Sequence, residues 1–275
     1  MLTTVCRMPV PLEVHDSPTA VGLRAAEVIA RGIAAAAAEG RRYVLGCPSG
    51  RSPLPTYAEL ARLVAERGLD LRPVIIALMD EYVSRTGDGF AAVDDRLPHS
   101  CVGFARRRIL APLNAAAAPG RGVGEHGLRH PDPAAAPGEY DRELAGLGGI
   151  DLFLLASGAS DGHIALNPAG TGADSVTRVV ALAEATRRDN QATFPTLRRL
   201  SDVPTHGVTV GIATIRDLSR SVIMITTGVG KRVAVRHLAA ADGYRTDWPA
   251  TVLADCRDPL LLVDRAAAGH LPADR

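Results

Sequence analysis

The sequence predicts an α/β protein: a mostly parallel sheet flanked by helices. Three observations predict it. Short apolar runs at 43–47, 74–79, 151–156 and 222–227 have the length and β-branched content of buried strands. The stretches at 18–39 and 53–67 open on Ser-Pro and close on Gly, the punctuation of helices. The resulting strand–helix–strand alternation is the rhythm of parallel crossovers.

Taken in order, Ser17-Pro18 is an N-cap followed by proline, opening a helix to about Glu39 with Gly40 as its stop. A buried strand follows at 43–47. Ser52-Pro53 repeats the cap signal for a helix ending at Arg67 before Gly68. The run at 74–79 is the next strand. Residues 84–98 are polar and Gly-containing and read as a loop or lid. A helix is expected at 100–113, then an Ala, Pro and Gly-rich surface connection at 114–137 with room for one short strand, then a short helix at 139–147. Strands are expected at 151–156, 208–211, 222–227 and 260–263, with a helix carrying Lys231 after the third. No repeat or linker divides the chain, so one domain over 1–275 is expected.

Apolar residues make up 47% of the 275, enough for a large core, but aromatics are only 4%, so Ala, Val, Leu and Ile must build it. A formal charge of +1 gives no global field toward nucleic acid or acidic membranes. No apolar run is of membrane-spanning length, and Met1 to Val10 lacks a signal-peptide pattern, which points to the cytoplasm. Cys6, Cys47, Cys101 and Cys256 form no C-x-x-C pair, so neither a zinc site, a redox motif nor a disulfide framework is suggested. His126, His130 and His237 have no partners at metal-ligand spacing, so no metal is assigned. Of the 31 basic residues other than His, Lys231 is the only lysine; a chain so tilted to Arg keeps an ammonium where a compact point charge is needed, or by chance.

In open parallel sheets ligands bind beyond the carboxyl ends of the strands, and four loops lie there: after Cys47, Met79, Ala156 and Thr227. The first, Gly46-Cys47-Pro48-Ser49-Gly50-Arg51-Ser52-Pro53, joins a strand to a helix start, where free N–H groups and the Ser49 and Ser52 hydroxyls suit a phosphate; the alternative is an ordinary capped turn. It lacks the Gly-Lys-Ser/Thr ending of a Walker loop. The second places Asp80 and Glu81 past a buried strand, where partial desolvation can make a carboxylate a neutral-pH base; a solvated strand end is the commoner case. The third, Asp161-Gly162-His163, sets a carboxylate beside an imidazole in a tight turn. The fourth, Gly228-Val229-Gly230-Lys231, is a second anion-binding turn. His206, ahead of an apolar strand, reads as structural.

These segments in this order (LGCPSGRSPLPTY, LMDEYV, DLFLLASGASDGHIALNP, PTHGVTVGIATI and TTGVGKRVAV) resemble the glucosamine-6-phosphate deaminase family and its relative 6-phosphogluconolactonase, over about 20–264. The DEYV and PTHGVTVGIATI stretches are closer to the deaminase branch. The resemblance implies a modified Rossmann-like fold, no metal or other cofactor, a small-molecule sugar phosphate as the partner, and often a homo-oligomer. It implies Asp80 as the base moving a proton between C1 and C2, and Asp161 and His163 as the ring-opening groups. It implies a phosphate pocket of Ser49, Gly50, Ser52 and Lys231, to which Arg51, Glu81 and Gly162 are added as binding candidates.

Two departures stand out. The family's turn continues Asn-Glu-Pro, with the Glu supporting the catalytic His; here Pro168 follows Asn167 directly. Loss of an orienting carboxylate should weaken or redirect ring opening. The family also carries an Arg near the substrate where Ala192 stands, with Arg187 and Arg188 as candidate substitutes, and Arg51 replaces a small residue in the phosphate loop. Three readings follow: a deaminase-like isomerase, a sugar-phosphate lactonase suggested by the missing Glu, and a sensor that binds without turnover, against which Asp80, Asp161 and His163 argue.

Overall fold

The structure is a computed structural model that describes residues 10–194 and 196–269; the side chains of Ala192 and Thr193 lie outside the described set. The N-terminal segment read above as lacking a signal pattern falls outside it too, except Val10. In chain order the elements begin with β1 (Leu12–His15), α1 (Pro18–Ala38), β2 (Tyr43–Cys47), α2 (Leu54–Arg67), β3 (Val74–Leu78), β4 (Asp80–Thr86) and β5 (Gly89–Ala92). Next come α3 (Cys101–Ala105), a π turn at Arg106–Leu110, α4 (Ala111–Ala116), β6 (Leu128–Arg129), α5 (Glu139–Gly146), β7 (Leu152–Ala156), β8 (Arg178–Ala181) and α6 (Glu184–Thr193). The chain continues with β9 (His206–Thr209), α7 (Ile212–Leu218), β10 (Val222–Thr226), α8 (Arg232–Ala239), β11 (Pro259–Asp264) and α9 (Arg265–Ala268).

Seven strands form one parallel sheet in the order β1-β11-β10-β7-β2-β3-β6. Side chains alternate between its faces. Leu45, Ile76 and Leu154 meet Ile29 and Ile33 of α1, Leu60 and Leu63 of α2, and Phe104, Ile109 and Leu113 of the helical run after β5. Val44, Ile75, Phe153, Leu155 and Met224 meet Tyr140 of α5, Ile215 of α7, and Val235 and Leu238 of α8. Each such aliphatic side chain contributes about 1.5–3 kcal/mol by leaving water. The low aromatic content is thus met by two aliphatic layers, one on each side of the sheet.

A second, antiparallel sheet, in the order β5-β4-β9-β8, corrects two sequence expectations. The segment read as a loop or lid at 84–98 begins as a hairpin of β4 and β5. The strand expected at 208–211 runs His206–Thr209 and pairs with β4 instead of joining the parallel sheet. The chain passes between sheets at Met79, whose carbonyl accepts from Val210 N at 2.8 Å. Asp80 therefore starts the second sheet at the carboxyl edge of the first.

The helix signals hold with two shifts, one being that Lys231 ends the turn just before α8 instead of lying within the helix. Ser17 Oγ accepts from Ala20 N, and Gly68 closes α2 at φ 60°. But α2 starts at Leu54, one residue later than Ser52-Pro53 implied, and Ser52 does not cap it. Gly40 (φ 66°) follows α1 as expected.

Candidate active site

β10, β7, β2 and β3 are neighbours, so their four following loops meet at one sheet edge. Connections leave β2 toward β3 on one side, while β7 and β10 lie on the other; a crevice opens where strand order reverses in this way. A cleft of about 370 Å³ lies there. Its wall includes Ser49, Gly50, Arg51 and Ser52 after β2, Asp80 after β3, His163 after β7 and Lys231 after β10. Gly50 has φ 94°, which lets the loop turn back over the helix start without a Cβ penalty.

Asp80 is 6% exposed. Burial is the largest influence on its carboxyl and lifts it to about 7; the Cys101 hydrogen bond opposes that rise, the Glu81 charge adds to it and His163 opposes it. Its neighbour Glu81 points elsewhere. Glu81 is fully buried and accepts from Ser100 Oγ (2.8 Å), Val102 N (2.9 Å), Cys101 N (2.9 Å) and Tyr82 N (2.8 Å). It holds the start of α3, whose free N–H groups favour a carboxylate. The expectation that Glu81 binds ligand is corrected: its four bonds turn it into the scaffold and off the cleft wall. Cys101 shows the opposite error. The sequence marked it only as an unpaired cysteine, yet it lines the cleft, with Sγ 3.2 Å from Asp80 Oδ1.

The turn after β7 is closed by Gly158 N donating to His163 O at 2.8 Å. Asp161 Oδ1 lies 2.7 Å from His163 Nδ1 and accepts from His163 N at 3.2 Å. Burial works to raise the Asp161 carboxyl, but these His163 contacts outweigh it and hold it below the ordinary carboxylate range. Asp161 stands behind the imidazole rather than on the cleft wall. With Nδ1 committed, Nε2 is the ring nitrogen left for chemistry. A Cβ on Gly158 would fall 2.3 Å from His163 Nδ1, so only glycine lets the pair close. Gly162, offered above as a binding residue, is instead a backbone requirement: it sits at φ 62° with Trp248 where its Cβ would be, and its carbonyl accepts from Ala250 N at 2.8 Å.

The missing Glu leaves no gap in the turn. Asn167 is fully buried, donates to Val210 O (2.7 Å) and Ile164 O (3.1 Å), and accepts from Arg178 at 3.1 Å. Orientation of His163 comes from Asp161, two residues away, so the expected loss of an orienting carboxylate is not what the geometry shows.

Lys231 Nζ donates to the Ser157 carbonyl and lines the cleft. Burial pulls its ammonium below the ordinary lysine value, opposed by Asp189 and Asp161 and assisted by Arg51. The turn that presents it is pinned by Gly228 N donating to Asp264 at 2.9 Å. From α6, Thr186, Asp189 and Asn190 reach the cleft, all absent from the sequence-based set of site residues. Asn190 Nδ2 is buried without a hydrogen-bond partner among the described residues. Arg187 is bound to the carbonyls of Leu200 and Val203, and Arg188 pairs with Glu184, so neither lines the cleft in place of the family Arg. The Ala192 side chain lies outside the described set.

A parallel sheet whose edge carries a glycine-bearing anion loop, a buried carboxylate and a carboxylate-held imidazole defines an enzyme that anchors a small anionic substrate and moves protons on it. Residues 16–262 match the family described as glucosamine-6-phosphate isomerases/6-phosphogluconolactonase, and the chain belongs to that family. Glucosamine-6-phosphate deaminase of Arthrobacter sp. (strain FB24) is 38% identical over 233 residues, covering 83% of this chain and 81% of the relative. That of Beutenbergia cavernae is 34% identical over 250 residues, covering 90% and 88%. A solved monomeric glucosamine-6-phosphate deaminase superposes with a TM-score of 0.79 at 28% identity, covering 94% of this chain and 99% of that one. The 6-phosphogluconolactonase of Trypanosoma cruzi shares the fold at 20% identity and a TM-score of 0.67, covering 98% and 100%.

Proposed function

We propose that this chain converts glucosamine 6-phosphate and water to fructose 6-phosphate and ammonia, and that residues 1–275 act as one unit in doing so. The observation that carries the reading is the pairing, across one cleft, of a buried Asp80 poised near neutrality with a His163 held through Nδ1. The relatives at 34–38% identity support it, since they are named as deaminases.

In this reading the phosphate lies against the 49–52 loop and Lys231, which fix the sugar and convert the proton transfers into steps within one complex. His163 Nε2 handles the proton at the ring oxygen as the pyranose opens, with Asp161 stabilising the imidazolium. Asp80, ionised, takes the C2 proton and returns it to C1; the resulting C2 imine adds water and releases ammonia. Asp80 is well placed by value, because a base near 7 is both ionised and basic at neutral pH. The Asn190 amide, lacking a described partner, is proposed to donate to a sugar oxygen.

The cytoplasm is the proposed site of action. Its support is that Cys47, Cys101 and Cys256 are free thiols, as a reducing compartment keeps them. The test is a product assay with purified protein and glucosamine 6-phosphate, following ammonia and ketose 6-phosphate together. Equal release of both is expected. Folded protein that yields neither, yet acidifies a solution of 6-phosphogluconolactone, would replace this reading by the lactonase one.

A further inference from the structure

Cys101 opens α3 and has no part in the reaction described above. Its thiol lies 3.2 Å from Asp80 Oδ1 and 3.3 Å from Ser49 Oγ. Its backbone N–H donates to Glu81 Oε1 at 2.9 Å, and Val102 N to Oε2 at 2.9 Å, so the thiol is fixed in place relative to the acidic pair. A carboxylate can only accept, so the S–H donates to Asp80. The sulfur lone pairs are then free to accept from the Ser49 hydroxyl. The outcome is a chain, Ser49 O–H to Cys101 S–H to Asp80, from the anion loop to the proposed base.

We propose that Cys101 is a positioning residue that couples occupancy of the phosphate loop to the proton affinity of Asp80. With the loop empty, Ser49 donates to Sγ, polarises the S–H and strengthens its bond to the carboxylate, since linked hydrogen bonds reinforce one another. When a phosphate takes the Ser49 proton donor, Sγ loses that support, and its own bond to Asp80 weakens. Asp80 becomes the stronger base only with substrate docked. No covalent bond changes; one hydroxyl reorients. The other groups around Asp80 are Glu81 and Tyr82 of β4, Tyr57 of α2 and His163. Glu81 is committed to α3, and none of these contacts Ser49 by a hydrogen bond among the described residues.

This inference rests on Asp80 as base and Ser49 as phosphate contact, but its test needs no turnover. The Asp80 carboxyl is followed by carbon-13 NMR in aspartate-labelled protein, its resonance assigned by disappearance in Asp80→Asn. Its titration midpoint is measured with and without saturating inorganic phosphate. Phosphate charge alone raises the midpoint in every variant, so the quantity of interest is the part that depends on Cys101. In Cys101→Ala the phosphate-free midpoint should rise by about one pH unit, the scale of a lost hydrogen bond to a charged group, and the phosphate-induced rise should shrink by half or more. Cys101→Ser should restore both. Ser49→Ala cuts the same chain from the loop side and should also shrink the phosphate-induced rise, which keeps the test open if Cys101→Ala does not fold. An unchanged phosphate-induced rise in either cut variant overturns the proposal. If the coupling appears in a protein that releases no ammonia, the coupling stands and the deaminase reading falls.

Discussion

Asp80 holds a charge where the surroundings disfavour one, and that conflict makes a testable trade. Its folded carboxyl titrates near 7, above the ordinary value of 3.8, so the protein gains from its protonation at low pH and loses that gain as pH rises through 7. Asp80→Asn should therefore abolish ammonia release, by roughly three orders of magnitude or more. It should also stabilise the fold above pH 7 by on the order of 4 kcal/mol, read as a higher Tm at pH 8 than wild type, with the difference shrinking steadily as pH falls toward 4. In the wild type, kcat/KM should climb with pH through about 7 as the base ionises. Gly158→Ala is the matching test of the imidazole: its Cβ collides with His163 Nδ1, so kcat should fall roughly 100-fold while the far-UV spectrum is kept. That Asp80, His163 and Lys231 line the cleft was legible in the sequence because each ends or follows a short apolar strand. Cys101 and Asn190 were not, because no local pattern shows that α3 and α6 fold back over the cleft.

Glu81 shows how an element depends on one side chain. Four donors, two of them α3 backbone N–H groups, converge on its carboxylate. Glu81→Ala strands them in the interior and should cost about 3–5 kcal/mol, measured as a lower midpoint in urea with an unchanged slope. Sequence reading could place an acid there but not its direction. Because side chains alternate along β4, Asp80 and Glu81 must face opposite ways, and only the pairing with β9 decides which faces the cleft. The same limit explains the strands that were missed. β5 and β8 are four residues each and poorly buried, and β8 pairs only with β9 some way along the chain, so no apolar run marks them. The one-residue delay of α2 has a local cause: Pro53 and Pro55 crowd its start, and the first bond is Leu54 N to Arg51 O.

At the scale of the molecule, the parallel sheet does what the apolar runs foretold: it brings four sequence-distant loops to one edge. Lys231 belongs to this scale, since its ammonium meets Ser157 across the sheet edge only if both β7 and β10 are in register. Lys231→Ala should raise KM for the sugar phosphate roughly 10- to 100-fold with a smaller effect on kcat, and Lys231→Arg should rescue poorly because a planar guanidinium does not fit a point-charge site. Trp248 offers a different use of this geometry. It is the chain's single tryptophan, 7% exposed, stacked on His237 with ring centroids 3.8 Å apart and lying under Gly162. Intrinsic tryptophan emission from this protein is thus a local optical signal from beneath the Asp161-Gly162-His163 turn, and ligand titrations can be followed by its intensity and wavelength without any label.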